Sequence, residues 1–216
     1  NMSLFDRLTL SMPDATVEDR IRMNNLAAAI CMTSQGVPFF QAGEEMLRSK
    51  PMGDGTFSEN SYNAPDAVNS IKWDDLNKAE YQNVYNYYKG LIAFRKAHPA
   101  LRMTTTDAVN ANITVMDGLA DNVTAFQIAA GANGEASDLF VVFNPTAAAT
   151  TVQLPKGLWT IYVNGEDAGT TALGTAEGTV TGEGCGEGLT WQLDTATGEL
   201  VISGESEIIS AGKGSI

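Results

Sequence analysis

Histidine occurs once and cysteine twice in the 216 residues. A Ser/His/Asp or Cys/His arrangement therefore has a single candidate imidazole, His98, at the end of a helical pattern. There a charge interaction with the helix terminus is the simpler role. Cys31 and Cys185 are too far apart in sequence for a zinc spacing or a disulfide framework. Cys31 lies in an apolar helical run, where a small buried residue is expected. Long apolar runs are also missing: the longest, around Leu26 to Ile30, falls far short of a bilayer span, so no membrane partner is expected. No signal-peptide pattern is visible, but residue 1 is Asn, so this says nothing about export. Basic residues are scarce in the second half. Residues 107–216 carry 2 Lys+Arg against 14 Asp+Glu, whereas residues 1–106 carry 11 against 12, within a net charge of −13. Phosphate contacts need Lys and Arg, so a nucleic-acid partner is disfavoured. A neutral polysaccharide is compatible with this charge, and solubility alone also accounts for it. No glycine-rich phosphate cradle is present.

What is there divides near residue 106. Helical periodicity with Met, Asn, Tyr and Arg gives way to short alternating runs of Thr, Val, Ala and Gly. This predicts a helix-containing part at 1–106 followed by an all-β part at 107–216. Thr16 and Asp19 have capping-box spacing at the start of a helix carrying Val17, Ile21, Leu26, Ile30 and Cys31 at helical intervals, with Gly36 beyond its end. The apolar run Val37–Phe40 then predicts a buried strand, the α-to-β step of a repeated β/α architecture. A second helix is expected after Asn77, with Glu80 as the capping partner, an apolar face of Tyr81, Val84, Tyr88, Leu91 and Ile92, and Pro99 at its end. Strands are expected at 113–116, 123–129, 139–144, 151–154, 159–163, 189–193 and 200–203. Turns at Asn133-Gly134, Asn144-Pro145 and Asn164-Gly165 lie between some of them, the pattern of an antiparallel β-sandwich.

Between the two helices lies a polar stretch, Gln41 to about Asp75, with no helical period. Loops this long in compact domains are functional or disordered, and this one follows the C-terminal end of a candidate barrel strand, where barrel enzymes place their active sites. Arg48, Lys50, Asn60, Tyr62, Asn63, Asp66 and Asn69 crowd around Ser61 and Ser70. Amides and carboxylates bind sugar hydroxyls, and Tyr or Trp offers a flat apolar face to a pyranose ring. An ordinary solvated loop has the same composition. Glu44 and Glu45 are adjacent; in an extended strand they point to opposite faces, so they are a poor acid/base pair. One is expected to turn inward to a polar partner and the other outward.

The run Gly36-Val-Pro-Phe-Phe-Gln-Ala-Gly-Glu-Glu45, followed by Arg48-Ser-Lys50, Asn60-Ser-Tyr-Asn-Ala-Pro-Asp-Ala-Val-Asn69 and Ile71-Lys-Trp73, strongly resembles type I pullulanases. These are starch-debranching members of the α-amylase-like glycoside hydrolases. Phe94-Arg-Lys-Ala-His-Pro-Ala-Leu101 looks like the last helix of their catalytic barrel. Asn144-Pro145 after Leu139–Phe143 looks like the centre of their C-terminal β domain. The resemblance covers about residues 1–165. It implies the fold class α/β plus all-β: the closing segment of a (β/α)8 barrel followed by a β-sandwich, possibly truncated.

The resemblance further implies that Asn1 is the Asn of the family's His-Asp-Asn motif, and that the three catalytic carboxylates precede this chain. No catalytic residue is then expected here, and the isolated chain is expected to be inactive. Asn1, Arg48, Tyr62, Asn63 and Asp66 are expected to contact substrate. The parent's reaction would be retaining hydrolysis of α-1,6-glucosidic linkages in pullulan, starch or glycogen. The implied partners are an α-glucan and the missing N-terminal part of the same barrel. No cofactor is implied, and calcium in the parent stays open. A secreted or cell-surface bacterial-type location is expected, with the cytoplasm left open. The competing reading is a non-catalytic carbohydrate-binding or scaffold module. Beyond Gly165 the resemblance weakens: Gly184–Trp191 with Leu200–Gly204 loosely resembles segments of gut-bacterial surface proteins, and Ala211–Ile216 reads as the start of a closing strand. Residues 107–216 are expected to be the more self-sufficient part, because a barrel strand without neighbours leaves backbone groups unpaired.

Overall fold

The computed structural model describes residues 2–178 and the strands at 190–194 and 199–203. Asn1, Cys185, most of the Gly184–Trp191 segment and the Ala211–Ile216 tail lie outside the described residues. The chain opens with α1 (Leu4–Ser11) and α2 (Val17–Thr33). The short α3 (Asp66–Asn69) follows, then the long α4 (Ala79–Ala97) and α5 (Thr106–Asn112). The strands are β1 (Ile113–Val115), β2 (Thr124–Ile128), β3 (Leu139–Phe143), β4 (Gly157–Ile161), β5 (Gly174–Gly178), β6 (Thr190–Asp194) and β7 (Glu199–Ser203). They form antiparallel sheets in the orders β1-β2-β3, β4-β5 and β6-β7.

Helix α2 starts where its capping box predicts. The Asp19 amide donates to Thr16 Oγ1 at 3.1 Å, and Asp19 Oδ2 accepts from the Thr16 amide at 3.2 Å and its hydroxyl at 2.7 Å. These bonds satisfy donors that the first helical turn leaves without partners. They also hold the Asp19 carboxyl below its ordinary value, chiefly through the Thr16 hydroxyl. Because the folded carboxyl is the more acidic, its contribution is complete above the unfolded value and fades as pH falls through the folded one. Asp19→Ala is therefore expected to lower the thermal midpoint at pH 7, with the gap to the parent closing below about pH 4; melting curves at pH 7 and pH 3 check this.

The buried face of α2 differs from the expected one. Asn24, Asn25, Ala28, Ala29, Met32 and Thr33 face inward, while Val17, Ile30 and Cys31 are exposed. The small residues Ala28 and Ala29 let α4 approach closely, and α4 brings Val84, Tyr87, Tyr88, Leu91 and Phe94 into the same cluster. Ile92, expected in the core, is exposed. Helix α4 starts at Lys78 without a side-chain cap, so the Asn77/Glu80 box does not form. A 3₁₀ turn over Trp73–Asn77 occupies that segment instead.

Val37–Phe40 is not a strand: no ladder forms there. Strands exist only as pairs, and no described segment lies alongside it. Val37 is 95% and Phe39 92% exposed, whereas Phe40 packs edge-on against Tyr88 at 5.5 Å.

Strands β2 and β3 are covered on both faces, whereas Thr114 and Val115 of β1 are exposed. Ile128 and Leu139 point into the helical cluster, whereas Ala125 and Phe140 point the other way. There they meet Trp159, Ile161 and Ala176 of β4-β5, with the Phe140 and Trp159 rings 5.8 Å apart. Burial on both faces is why Leu139–Phe143 is continuously apolar rather than alternating. The expected strand at 151–154 has no ladder, although Val152 and Leu154 are buried in this second cluster. Strand β5 occupies a region where no strand was expected. The predicted turns are present: Asn133 and Gly134 have φ of +50° and +84°. Asn144 Oδ1 accepts from the Thr146 amide, and Asn164 Oδ1 from those of Glu166 and Asp167.

The helical and β parts share the first cluster across residue 106. His98 does not serve its own helix end. Its Nδ1 lies 3.2 Å from Glu135 Oε1, while Glu135 Oε2 accepts from the Ala100 amide, tying the end of α4 to the β2–β3 connection.

Candidate functional site

The polar stretch after Phe40 is a sequence of tight turns rather than an open loop. Gly43 has φ +98°, a left-handed conformation that glycine adopts without strain. Its carbonyl accepts from the amides of Met46 (3.0 Å) and Arg48 (2.9 Å). Glu44 and Glu45 therefore lie in a 3₁₀ turn, Glu44–Met46, and not on a strand. The inward/outward division expected for an extended pair does not arise. Glu44 Oε1 accepts from the Gln41 amide at 3.2 Å and Glu45 Oε2 from the Gly43 amide at 2.9 Å, so both carboxylates fold back on the turn that carries them. Burial pushes the Glu44 carboxyl above its ordinary value, opposed by the Gln41 N–H and reinforced by the Glu45 charge. Each group stabilises the turn locally, and they do not face a common bond as an acid/base pair must.

Arg48 is committed to the backbone. Nη1 donates to the Ala42 carbonyl at 3.0 Å and Nη2 to the Asn69 carbonyl, and the buried Nε has no partner among the described residues. Its aliphatic stem lies over Gly43, where an added Cβ would stand 2.7 Å from Arg48 Cδ. Arg48 thus staples the start of the loop to its end.

Tyr62, Asn63 and Asp66 are different. Tyr62 is 82% exposed, and Asn63 and Asp66 are exposed beside it. Tyr62 and Asn63 are the central pair of a turn closed by the Ala64 amide donating to the Ser61 carbonyl at 3.0 Å. Asp66 begins α3, and no hydrogen bond to its carboxylate or to the Tyr62 and Asn63 side chains occurs among the described residues. A ring face, an amide and a carboxylate are therefore open to solvent within five positions. Trp73, 63% exposed at the start of the following 3₁₀ turn, presents a second aromatic face.

Beneath this turn runs a buried polar network that the sequence reading missed. Asp6 of α1 accepts from Ser3 Oγ at 2.6 Å, from the Lys50 amide at 2.8 Å and from Ser49 Oγ. Lys50 Nζ donates to Ser61 Oγ at 2.7 Å, and Asn69 Nδ2 donates to the Ser61 carbonyl. An aspartate inside the apolar run Leu4-Phe-Asp-Arg-Leu8 was the available signal, because a buried carboxylate requires partners.

A cavity of about 170 Å³ lies beside the loop between Arg48, Pro51, Ile71, Lys72 and Tyr81. The larger one, about 440 Å³, shares no lining residue with the loop; it lies between α2, α4 and residues 165–168 and is lined by Glu18, Asn25, Glu80 and Asp167 among others. The smaller cavity is the one lined by residues of the loop, Arg48 and Ala67 among them. Among the described residues no three or more His, Cys, Asp or Glu side chains are grouped to hold a metal ion, and no described helix is long and apolar enough to cross a membrane.

Residues 109–167 match the family described as "Pullulanase, all-beta domain". The chain is 30% identical over 128 residues to the pullulanase of Bacillus subtilis (strain 168), which covers 59% of this chain and 17% of that protein. It is 26% identical over 148 residues to the isoamylase of Pseudomonas amyloderamosa, covering 63% of this chain and 18% of that protein. Among solved structures, the pullulanase from Bacillus acidopullulyticus matches with TM-score 0.75 and 41% identity, over 82% of this chain and 21% of that one. The pullulanase of Anoxybacillus sp. LM18-11, complexed with maltotetraose, matches with TM-score 0.69 and 29% identity, over 82% of this chain and 24% of that one. The resemblance read from Gly36–Glu45 and Asn60–Asn69 is borne out: the chain is similar to pullulanases over most of its length, and it spans less than a quarter of theirs.

Proposed function

We propose, from the premise that this chain is a pullulanase-like segment, that it forms one wall of the sugar cleft and the C-terminal domain of a starch-debranching glycoside hydrolase. The substrate is an α-glucan branched through α-1,6 linkages, as in pullulan, starch or glycogen. The single observation that carries this reading is the exposed Tyr62–Asn63–Asp66 group on a braced turn, in a chain similar to a pullulanase complexed with maltotetraose. The Tyr62 ring supplies a flat face for a glucose ring, the Asn63 amide both donates and accepts, and the Asp66 carboxylate accepts from paired hydroxyls.

Residues 1–106 are then the closing segment of the catalytic barrel and residues 107–216 a β-sandwich. Val37 and Phe39 share one face of an extended run, and their exposure suits a barrel strand whose other neighbours in the enzyme cover that face, while Phe40 on the opposite face packs on Tyr88. The facing of β1-β2-β3 onto β4-β5 across Phe140 and Trp159 supports the sandwich. By the resemblance to pullulanases the bond-breaking carboxylates belong to preceding barrel strands, and Glu44 and Glu45, which accept from amides of their own turn, are not among them. Hydrolysis proceeds with retention, one carboxylate attacking the sugar carbon while a protonated one assists the leaving oxygen.

Saturation-transfer NMR on the chain tests the reading. Maltotetraose is expected to bind, and Tyr62→Ala and Asp66→Ala are each expected to weaken binding about fivefold, the loss of roughly one stacking or hydrogen-bond contact. Both side chains are exposed, so the thermal midpoint should stay put. Unchanged binding in both variants refutes the assignment. Release of reducing sugar from pullulan by the isolated chain refutes the placement of the catalytic carboxylates.

A further inference from the structure

We infer that Lys50 is a positioning residue, a buried strut that sets the height and orientation of the Tyr62–Asn63 turn for sugar binding; the inference rests on the sugar-cleft reading above. Every polar end of Lys50 is used. Its amide donates to Asp6 Oδ2 (2.8 Å), its carbonyl accepts from the Ser58 amide (3.0 Å), and its Nζ donates to Ser61 Oγ (2.7 Å). The residue is 4% exposed, and so links α1 at one end to the foot of the exposed turn at the other.

The connection continues through Ser61. Its hydroxyl receives the Lys50 ammonium, and its carbonyl receives both the Ala64 amide that closes the turn and Asn69 Nδ2. Residues 51–60, including the Pro51–Phe57 bridge, form an excursion pinched at its base by the Ser58–Lys50 bond. Between Lys50 and Ser61 the chain therefore leaves and returns to one buried point, and Tyr62 emerges directly from that point. Asp6, itself 1% exposed with three donors around it, makes the lower end of the strut rigid.

A buried ammonium is an expensive way to fill this space. Desolvation holds the Lys50 amine below its ordinary value, the Arg48 charge adds to that, and Asp6 opposes it. A thioether of similar volume would pack without that cost, and Asp6 would keep its three donors, Ser3 Oγ, Ser49 Oγ and the backbone amide of residue 50, so the change falls on the link to Ser61. What methionine cannot do is donate to Ser61. Lys50→Met thus separates holding the fold from holding the turn.

The test uses the full 216-residue chain with two readouts: amide hydrogen exchange at Ala64, and maltotetraose affinity by titration. Lys50→Met is expected to leave the thermal midpoint within a few degrees of the parent. It should speed exchange at Ala64 about tenfold, the loss of roughly one hydrogen bond from the turn, while amides in the middle of α4 are unaffected. Maltotetraose affinity should fall about fivefold or more, in step with the turn's opening. Ser61→Ala should speed Ala64 in the same way, and the double variant should exchange no faster than Lys50→Met alone, because the two side chains act as one link. Unchanged exchange at Ala64 in Lys50→Met, or additive acceleration in the double variant, overturns the strut. Faster exchange with unchanged affinity overturns its role in sugar binding. A parent chain that binds no maltotetraose refutes the sugar reading itself, while exchange at Ala64 still decides whether Lys50 holds the turn.

Discussion

Replacing Arg95 by methionine is expected to lower the thermal midpoint more than any exposed-site substitution in the helical part. Arg95 lies on α4 but serves the end of α2. Its Nη1 donates to the carbonyls of Met32 and Ser34, both at 2.7 Å, and its Nη2 to that of Gly36 at 2.6 Å. The last carbonyls of a helix have no partner within it, and a cation there also opposes the helix dipole. The side chain is buried, and desolvation, with the nearby Arg102 charge, holds the guanidinium pKa below its ordinary value while leaving it charged. Removing it recovers some desolvation cost but strands the Met32 carbonyl, the most enclosed of the three. The Ser34 and Gly36 carbonyls can turn to water. The expected net loss is about 3 kcal/mol, a fall in midpoint of roughly 6–12 °C for a chain of this size. Arg95→Lys should recover less than half of this, because one ammonium lacks the fork that reaches three carbonyls. Calorimetric melting of the three proteins checks both points; a methionine variant within 2 °C of the parent would show that the three bonds contribute little.

The second large effect is expected at Gly90, in the middle of α4. In an isolated helix Gly→Ala is favourable by about 1 kcal/mol. Here the sign should reverse. A Cβ at position 90 would stand 1.9 Å from the Ala168 carbonyl oxygen and 2.5 Å from its carbon. Both are backbone atoms and cannot swing aside as a side-chain tip can. Ala168 is also held in place: the Asn164 side chain caps the turn at Glu166 and Asp167, the Gly169 amide donates to the Tyr162 carbonyl, and Tyr87 Oη donates to the Asn164 carbonyl. Overpacking of this kind costs on the order of 3 kcal/mol, which leaves a net loss of about 2 kcal/mol after the helix gain. Gly90→Ala should then melt roughly 4–8 °C below the parent. It should also expose the Tyr87 hydroxyl, which near-ultraviolet spectroscopy reports. A midpoint equal to or above that of the parent would mean that the 165–168 segment gives way freely.

These two sites mark where sequence reading stops. Arg95 reads as a basic residue in the last turn of its own helix, favourable there by the dipole rule, yet its guanidinium caps a different helix. Gly90 reads as a weak point inside a helical pattern, yet it is the contact that lets the β part sit against α4. Neither role is recoverable from local pattern, because both partners are about sixty or more positions away. The same holds for the site. Tyr62, Asn63 and Asp66 stand out in the sequence by type and clustering, and their side chains are exposed close together. Arg48 belonged to the same cluster by composition but is spent on the Ala42 and Asn69 carbonyls.

The sequence by itself determined the features set by bonds between near neighbours. The Thr16–Asp19 capping box spans three positions, and the asparagine turns at 144 and 164 span two or three. Strands β1 to β3 lie within one residue of their expected limits, since alternation and turn residues act locally. The tertiary structure alone decided which face of a helix is inside, whether an apolar run becomes a strand, and what a buried charge touches. Ile30 and Cys31 are as apolar as Ala28 and Met32, but α4 packs on the latter pair. Val37–Phe40 has strand composition but forms no ladder, because a strand's hydrogen bonds are completed only by a neighbouring chain segment. Asp6 finds Ser49 and Lys50 from more than forty positions away. Burial and pairing are properties of what arrives alongside a residue, and that depends on how the whole chain closes on itself.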